Sequence, residues 1–318
     1  MKFDNYMGKF ASSGDVQTAV DNGDLVKPYV ALVEDGNYID WNTKSIDYSK
    51  MPLTIEMSTS GVVSTTSWGW SWRLNNGEWQ TYEKAIQNLY VETGDKIQLK
   101  GNKFPNQYTQ SLFKISGKYR VFGNIMSMRY GDNFFDSNGS LTANAFNYLF
   151  QNCTGLTDAN NLILPATTLK MYCYWNMFYG CTSLTTAPAL PATTLAGAGS
   201  CYQSMFENCT SLTAAPALPA TTLEFGCYWH MFRGCTSLTK APELPATTLA
   251  RYCYNEMFTR CSSLNYIKCL ATDISADSCT SNWVLNVAPT GTFVKNASMT
   301  SWPTGTSGIP DGWTVQEV

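Results

Sequence analysis

Leu164-Pro165-Ala166-Thr167-Thr168-Leu169 is followed by Cys173-Tyr174, then Met177-Phe178, then Cys181-Thr182-Ser183-Leu184. The same words return over 190–212, 218–238 and 244–264. First cysteines Cys173, Cys201, Cys227, Cys253 and Cys279 are spaced 28, 26, 26 and 26 residues. A second series, Cys153, Cys181, Cys209, Cys235 and Cys261, runs in step with them. A period in the twenties with Leu at fixed offsets predicts a solenoid, each unit stacked on the next. Cys173, Met177, Phe178 and Cys181 stand at i, i+4, i+5 and i+8, which predicts one face of a helix of about two and a half turns. The run from Thr185 to Leu190 is short and contains Pro188, so it predicts only a minimal extended segment. Thr167, Thr193, Thr221 and Thr247 are expected to cap successive helices and to bond between coils.

The copies also separate what is fixed from what is free. Positions −2, −1, +2, +3 and +6 from the first cysteine vary. They read Met171, Tyr172, Trp175, Asn176 and Tyr179 in one unit, and Gly199, Ser200, Gln203, Ser204 and Glu207 in the next. Then come Phe225, Gly226, Trp229, His230 and Arg233, followed by Arg251, Tyr252, Asn255, Glu256 and Thr259. On a helix these offsets form the face opposite the cysteines and should meet solvent. Aromatic, Arg and amide side chains on a sparsely charged surface have the composition of a binding face. The candidate ligand contacts are Tyr172, Trp175, Asn176, Tyr179, Gln203, Glu207, Phe225, Trp229, His230, Arg233, Arg251, Tyr252 and Asn255. The competing reading is that exposed positions simply drift.

Eleven cysteines invite a disulfide framework. Eight residues on a helix rise about 12 Å, and adjacent repeats would lie roughly 8–10 Å apart, both beyond the ~7 Å Cα limit of a disulfide. There is no CxxC and His230 is the only histidine, so no metal or other cofactor is expected. Buried thiols packed as small hydrophobes are the expectation.

Of 318 residues, 44% are hydrophobic but only 14% charged, against about 25% in a typical domain, and the net charge is −3. No basic cluster offers a nucleic-acid groove, so no nucleic acid is expected. Met1 to Gly8 has no apolar stretch of signal-peptide length, and no apolar run reaches 18 residues. The expectation is a cytoplasmic start with no export signal and no membrane insertion.

Outward from the repeats, residues 1–48 read as a leader with a short helix begun near Ser13 or Asp15 and a strand over Tyr29–Val33. Such a segment buries little alone and is expected to dock on something. Between 51 and 128, seven or eight short strands alternate with hairpin-grade turns such as Asn75-Asn76-Gly77, which predicts a small β-sandwich. Trp68, Trp70 and Trp72 share one strand face, either as a carbohydrate-stacking platform or as the sandwich core. Ala145-Phe146, Leu149-Phe150 and Cys153 mark an entry repeat. Cys279, Trp283-Val284 and Val287 mark a degenerate last one.

The Leu-Pro-Ala-Thr-Thr-Leu…Cys-Tyr…Met-Phe…Cys-Thr-Ser-Leu pattern resembles the BspA-type leucine-rich repeat family over roughly residues 145–318. Cys269-Leu270-Ala271-Thr272 and Gly308-Ile309-Pro310-Asp311-Gly312-Trp313 resemble endings of that family's gut-bacterial members. The resemblance implies a surface-exposed, non-enzymatic adhesive solenoid. The leader around Ser13-Gly14-Asp15-Val16-Gln17 and Lys27-Pro28-Tyr29-Val30-Ala31 resembles the start of phage virion fibre proteins.

These readings combine into an expected α+β multidomain fold. It has an N-terminal attachment segment (1–48), a β-sandwich (49–130), a connector and entry capping repeat (131–163), a leucine-rich-repeat solenoid of 26–28-residue repeats (164–269), and a degenerate terminal repeat with a C-terminal cap (270–318). The expected function is a non-enzymatic fibre on the head or tail of a phage virion, adhering to a bacterial or host surface. The alternative is a bacterial cell-surface adhesin. Expected partners are a capsid or tail protein through residues 1–48, a surface glycan or protein ligand, and further copies of the chain, a trimer being the guess from multivalency. No catalytic constellation can be assembled: His230 lacks a nucleophile at a motif spacing, and Glu207, Glu224 and Glu243 fall at unrelated repeat offsets.

Overall fold

The computed structural model describes residues 30–32, 38–40, 45–66, 70–80, 85–101, 111–136 and 141–318. The helix expected near Ser13–Val20 and Trp68 lie outside the described residues. Strands β1 (Val30–Leu32), β2 (Tyr38–Asp40) and β3 (Ser45–Ile46) form an antiparallel sheet in the order β1-β2-β3.

The next strands fall where apolar alternation meets turn residues. They are β4 (Leu53–Met57), β5 (Gly61–Thr65), β6 (Trp70–Leu74), β7 (Leu89–Val91), β8 (Lys96–Gly101), β9 (Phe113–Ile115) and β10 (Tyr119–Asn124). Along β4, Leu53, Ile55 and Met57 point into the core with essentially no exposure. One sheet is β7-β5-β9. The larger one runs β11-β10-β4-β8-β6 and recruits β11 (Leu156–Asp158) and β12 (Leu162–Ile163) from the entry repeat, both parallel to β10. Helix α1 (Ser127–Tyr130) is pinned beneath it by the buried Ser127 hydroxyl. That Oγ donates to Leu99 O at 2.9 Å and accepts from Leu53 N at 2.8 Å.

The expected α+β class, with a helical leucine-rich-repeat solenoid, is corrected here. The fold is mostly strand, in several parallel and antiparallel sheets, and α1, four residues long, is the sole α-helix among the described residues. It lies outside the repeats. Where a helix was expected in each unit, every fourth residue instead has a left-handed backbone: Tyr172, Asn176 and Gly180; Ser200, Ser204 and Asn208; Gly226, His230 and Gly234; Tyr252, Glu256 and Arg260. That breaks the i→i−4 ladder a helix needs. Alternate amides bond three residues back, as Trp175 N does to Tyr172 O. The others reach a neighbouring copy, as Asn176 N does to Gln203 O and Gly180 N to Glu207 O. On the far side of the unit, successive copies meet only in isolated parallel bridges such as Thr194–Thr222 and Lys240–Tyr266, so no continuous sheet forms there. Pro188, Pro216 and Pro242 remove amide donors from that side.

Invariant side chains fill the space between these backbones. Phe113 of β9 stacks on Phe150, and the line continues through Phe178, Phe206, Phe232 and Phe258 at 5.2–5.8 Å between centroids. A second line runs Phe146, Tyr174, Tyr202, Tyr228 and Tyr254. Both end on the fully buried Trp283, whose indole donates to Gly308 O at 2.8 Å. All eleven cysteines are free and buried. Cys181, Cys209, Cys235 and Cys261 each donate from Sγ to the phenylalanine carbonyl of the copy before (Phe150, Phe178, Phe206 and Phe232) at 2.9–3.1 Å. Burial pushes their thiols up, that of Cys261 to about 12, so they stay protonated donors. A parallel sheet of β13 (Tyr266–Cys269), β14 (Thr292–Lys295) and β15 (Thr314–Glu317) closes the C-terminal end.

Candidate functional site

The four-residue rhythm sets which side chains reach the surface. Cys173 and Tyr174 point in, Trp175 and Asn176 are half-buried, and Met177 and Phe178 point in again. Variable residues therefore emerge in pairs from between invariant ones, and they are less exposed than a helical face would make them. Of the expected ligand contacts, Glu207 and Asn255 are buried, which corrects the reading of them as solvent-facing. Tyr172, Trp175, Asn176, Tyr179, Gln203, Trp229, His230, Arg233 and Tyr252 are half-buried, and Phe225 and Arg251 are exposed. Asn255 Nδ2 donates to Ser278 O at 3.4 Å, and Tyr179 Oη accepts from Asn208 Nδ2 at 3.5 Å.

The structure brings these residues into three groups. Tyr148, Trp175 and Tyr172 form one aromatic patch, with centroids 5.0 and 5.3 Å apart. Phe225, Trp229 and Tyr252 form a second, on which the Arg251 guanidinium lies 5.0 Å from the Tyr252 ring while pairing with Asp277 at 2.9 Å. Beside it, His230 and Arg233 interleave with two carboxylates. Nδ1 of His230 is 3.7 Å from Glu207 and Nε2 is 3.6 Å from Glu256, while Arg233 is 3.6 and 3.4 Å from the same pair. Burial is the largest influence on His230 and holds its pKa below the usual imidazole value, although both carboxylates pull it up. The ring is correspondingly neutral at pH 7.

Between the two aromatic patches lies a notch of about 320 Å³, within the range of small-molecule sites. Met171 and Tyr172 wall one side and Phe225 the other, with Gly197, Gly199 and Ser200 beneath and Glu224 at the edge. It exists because the unit between the walls has glycine where its neighbours have Met171 and Phe225. A Cβ on Gly199 would meet nothing closer than 3.6 Å, and one on Gly197 would meet nothing within 4 Å. Glu224 is fixed at both oxygens, Oε2 accepting from Gly197 N at 3.1 Å and Oε1 from Phe225 N at 3.0 Å. Larger clefts, such as the one of about 580 Å³ lined by Val62, Ser64, Ser111, Phe113 and Asn152, lack this convergence of aromatic walls on one carboxylate.

The sequence pattern does not single out Glu224, Gly197, Gly199, Met171 or Glu256 as contacts. The 28-residue spacing was the available signal: two extra residues between Leu195 and Cys201, relative to the later copies, contribute Gly197 to the notch. Of the tryptophan stripe, Trp70 is 4% exposed in the core and offers no open face. Trp72 packs half-buried against that core. No group of metal-ligating side chains, and no helix long and apolar enough to cross a membrane, occurs among the described residues. No family model, curated protein or solved structure matches the chain.

Proposed function

We propose that this chain is a non-enzymatic binding protein whose repeats hold a rigid aromatic and charged face for adhesion to a bacterial or host surface. In this reading it serves as a fibre on a phage virion, attached through residues 1–48. One observation carries the adhesive part: Tyr172, Trp175, Phe225, Trp229, Arg251 and Tyr252 all stand at positions where the copies disagree, yet gather into two contiguous aromatic patches. Fixing side chains on stacked backbone lowers the entropy lost on binding, and aromatic and Arg anchors contribute most per residue to interfaces. The fibre part rests on the leader's resemblance to virion fibre proteins. Several copies per particle would multiply weak contacts into lasting attachment.

The test is cell binding by the purified chain, over a panel of bacterial strains, with and without the paired substitution Trp175→Ala and Trp229→Ala. Both residues are half-buried on the surface, so the core should survive. Cell binding is expected to fall at least about tenfold, with thermal unfolding little changed. Undiminished binding by the double variant would remove the face from the proposal. Incorporation of a chain lacking residues 1–48 into particles would remove the attachment role of that segment.

A further inference from the structure

We infer that the notch between Met171-Tyr172 and Phe225 is a binding site for a trimethylammonium group such as that of choline. This rests on the binding-protein reading above and names a ligand class for one part of its face. The walls are polarisable: a thioether on Met171, half exposed, and aromatic rings on Tyr172 and Phe225, the latter 38% exposed. Rings and sulfur of this kind attract a soft, diffuse cation through their negative faces. The single ionised group at the edge is Glu224, and none of the ion pairs among the described residues includes it. Arg251, the nearest guanidinium to the Phe225 ring at 6.0 Å, is already engaged by Asp277. The notch therefore carries one uncompensated negative charge beside an apolar, aromatic hollow.

The lining distinguishes between cations. A primary ammonium brings three N–H donors that must be satisfied when water leaves. Each Glu224 oxygen already accepts a backbone amide and keeps about one acceptor site, and the rest of the lining is mainly thioether, ring and glycine, with the Tyr172 and Ser200 hydroxyls its other side-chain oxygens. A trimethylammonium has no donors and spreads its charge over methyl groups, so it loses less on entering. A pyranose is a poor fit for the converse reason: its rim of hydroxyls would find one carboxylate and little else.

Three probes separate these cases on the full chain, titrated by NMR or calorimetry: choline, its uncharged isostere 3,3-dimethylbutan-1-ol, and N-acetyl-lysine amide. Choline is expected to bind at least about tenfold more tightly than either of the others. Glu224→Gln, which keeps the side chain's shape and an acceptor oxygen, is expected to weaken choline about tenfold. Gly199→Phe is expected to abolish binding by filling the notch, since its Cβ meets no obstacle. Equal affinity for the isostere would show a merely apolar hollow and overturn the proposal. Choline binding unmoved by both variants, or no choline binding at all, would overturn it too. Retained cell adhesion in that last case would leave the wider face standing, whereas choline binding without any cell adhesion would remove only the wider face.

Discussion

His230 shows how one side chain can serve both stability and surface chemistry. It is half-buried, its backbone is left-handed, and it is flanked by Glu207, Arg233 and Glu256. Burial lowers its pKa in the folded chain below the unfolded value of about 6.5. The unfolded chain therefore binds the proton first, and stability falls as pH drops through about 6.5 towards the folded value. His230→Asn removes that titration and, as an amide residue, tolerates the positive φ. Denaturant midpoints at pH 7 and pH 5.5 should show the parent losing more stability over that interval than the variant. An equal loss would place the pH dependence elsewhere. The sequence marked His230 as variable and surface-facing, but it gave no view of the two carboxylates, because they come from the copies before and after it.

At the scale of the element, the spacing i, i+4, i+5, i+8 suits a helix and a four-residue coil equally, and that is why the cysteine face was legible while the helix was not there. The deciding signal sits at the positions between. Position +7 reads Asn152, Gly180, Asn208 and Gly234, then Arg260 and Asn286; all six have positive φ, and asparagine and glycine accept a left-handed backbone with little penalty. In a helix such residues would be exposed and poor formers; here they close each turn. Their alternation is also spatial, since a Cβ on Gly180 would run into Asn152 Oδ1 and one on Gly234 into Asn208 Oδ1. Gly234→Ala combines a left-handed alanine with that contact and is expected to cost about 1–2 kcal/mol, read from a urea midpoint. A neutral result would mean the turn relaxes freely. The short strands of the N-terminal half were more legible, because a period of two has no rival at that length, as Leu53, Ile55 and Met57 show.

Across the whole molecule, two aromatic lines bind the sheets of the N-terminal half to the C-terminal end. One starts at Phe113 on β9, and both finish on Trp283, which also stacks on Trp302 at 5.7 Å. Trp283→Ala therefore opens the ends of both lines at once, with an expected loss of about 3–5 kcal/mol, measurable by chemical denaturation. A loss under about 1 kcal/mol would show that the end units carry little of the fold's stability. The sequence placed Trp283 in the last, degenerate copy; that it closes two lines depends on the stack's geometry, which no local pattern contains. The notch has the same origin, since its walls belong to copies more than fifty residues apart and its emptiness to the glycines between them. The alternation of Asn152, Gly180, Asn208 and Gly234, which ends where Arg260 takes the position, has an arithmetic of its own. Where each amide side chain needs a glycine above it, copy number acquires parity. Losing or duplicating two adjacent units restores the alternation, whereas a change of one sets asparagine on asparagine or glycine on glycine. Over the copies before Arg260, the array lengthens and shortens most easily in twos.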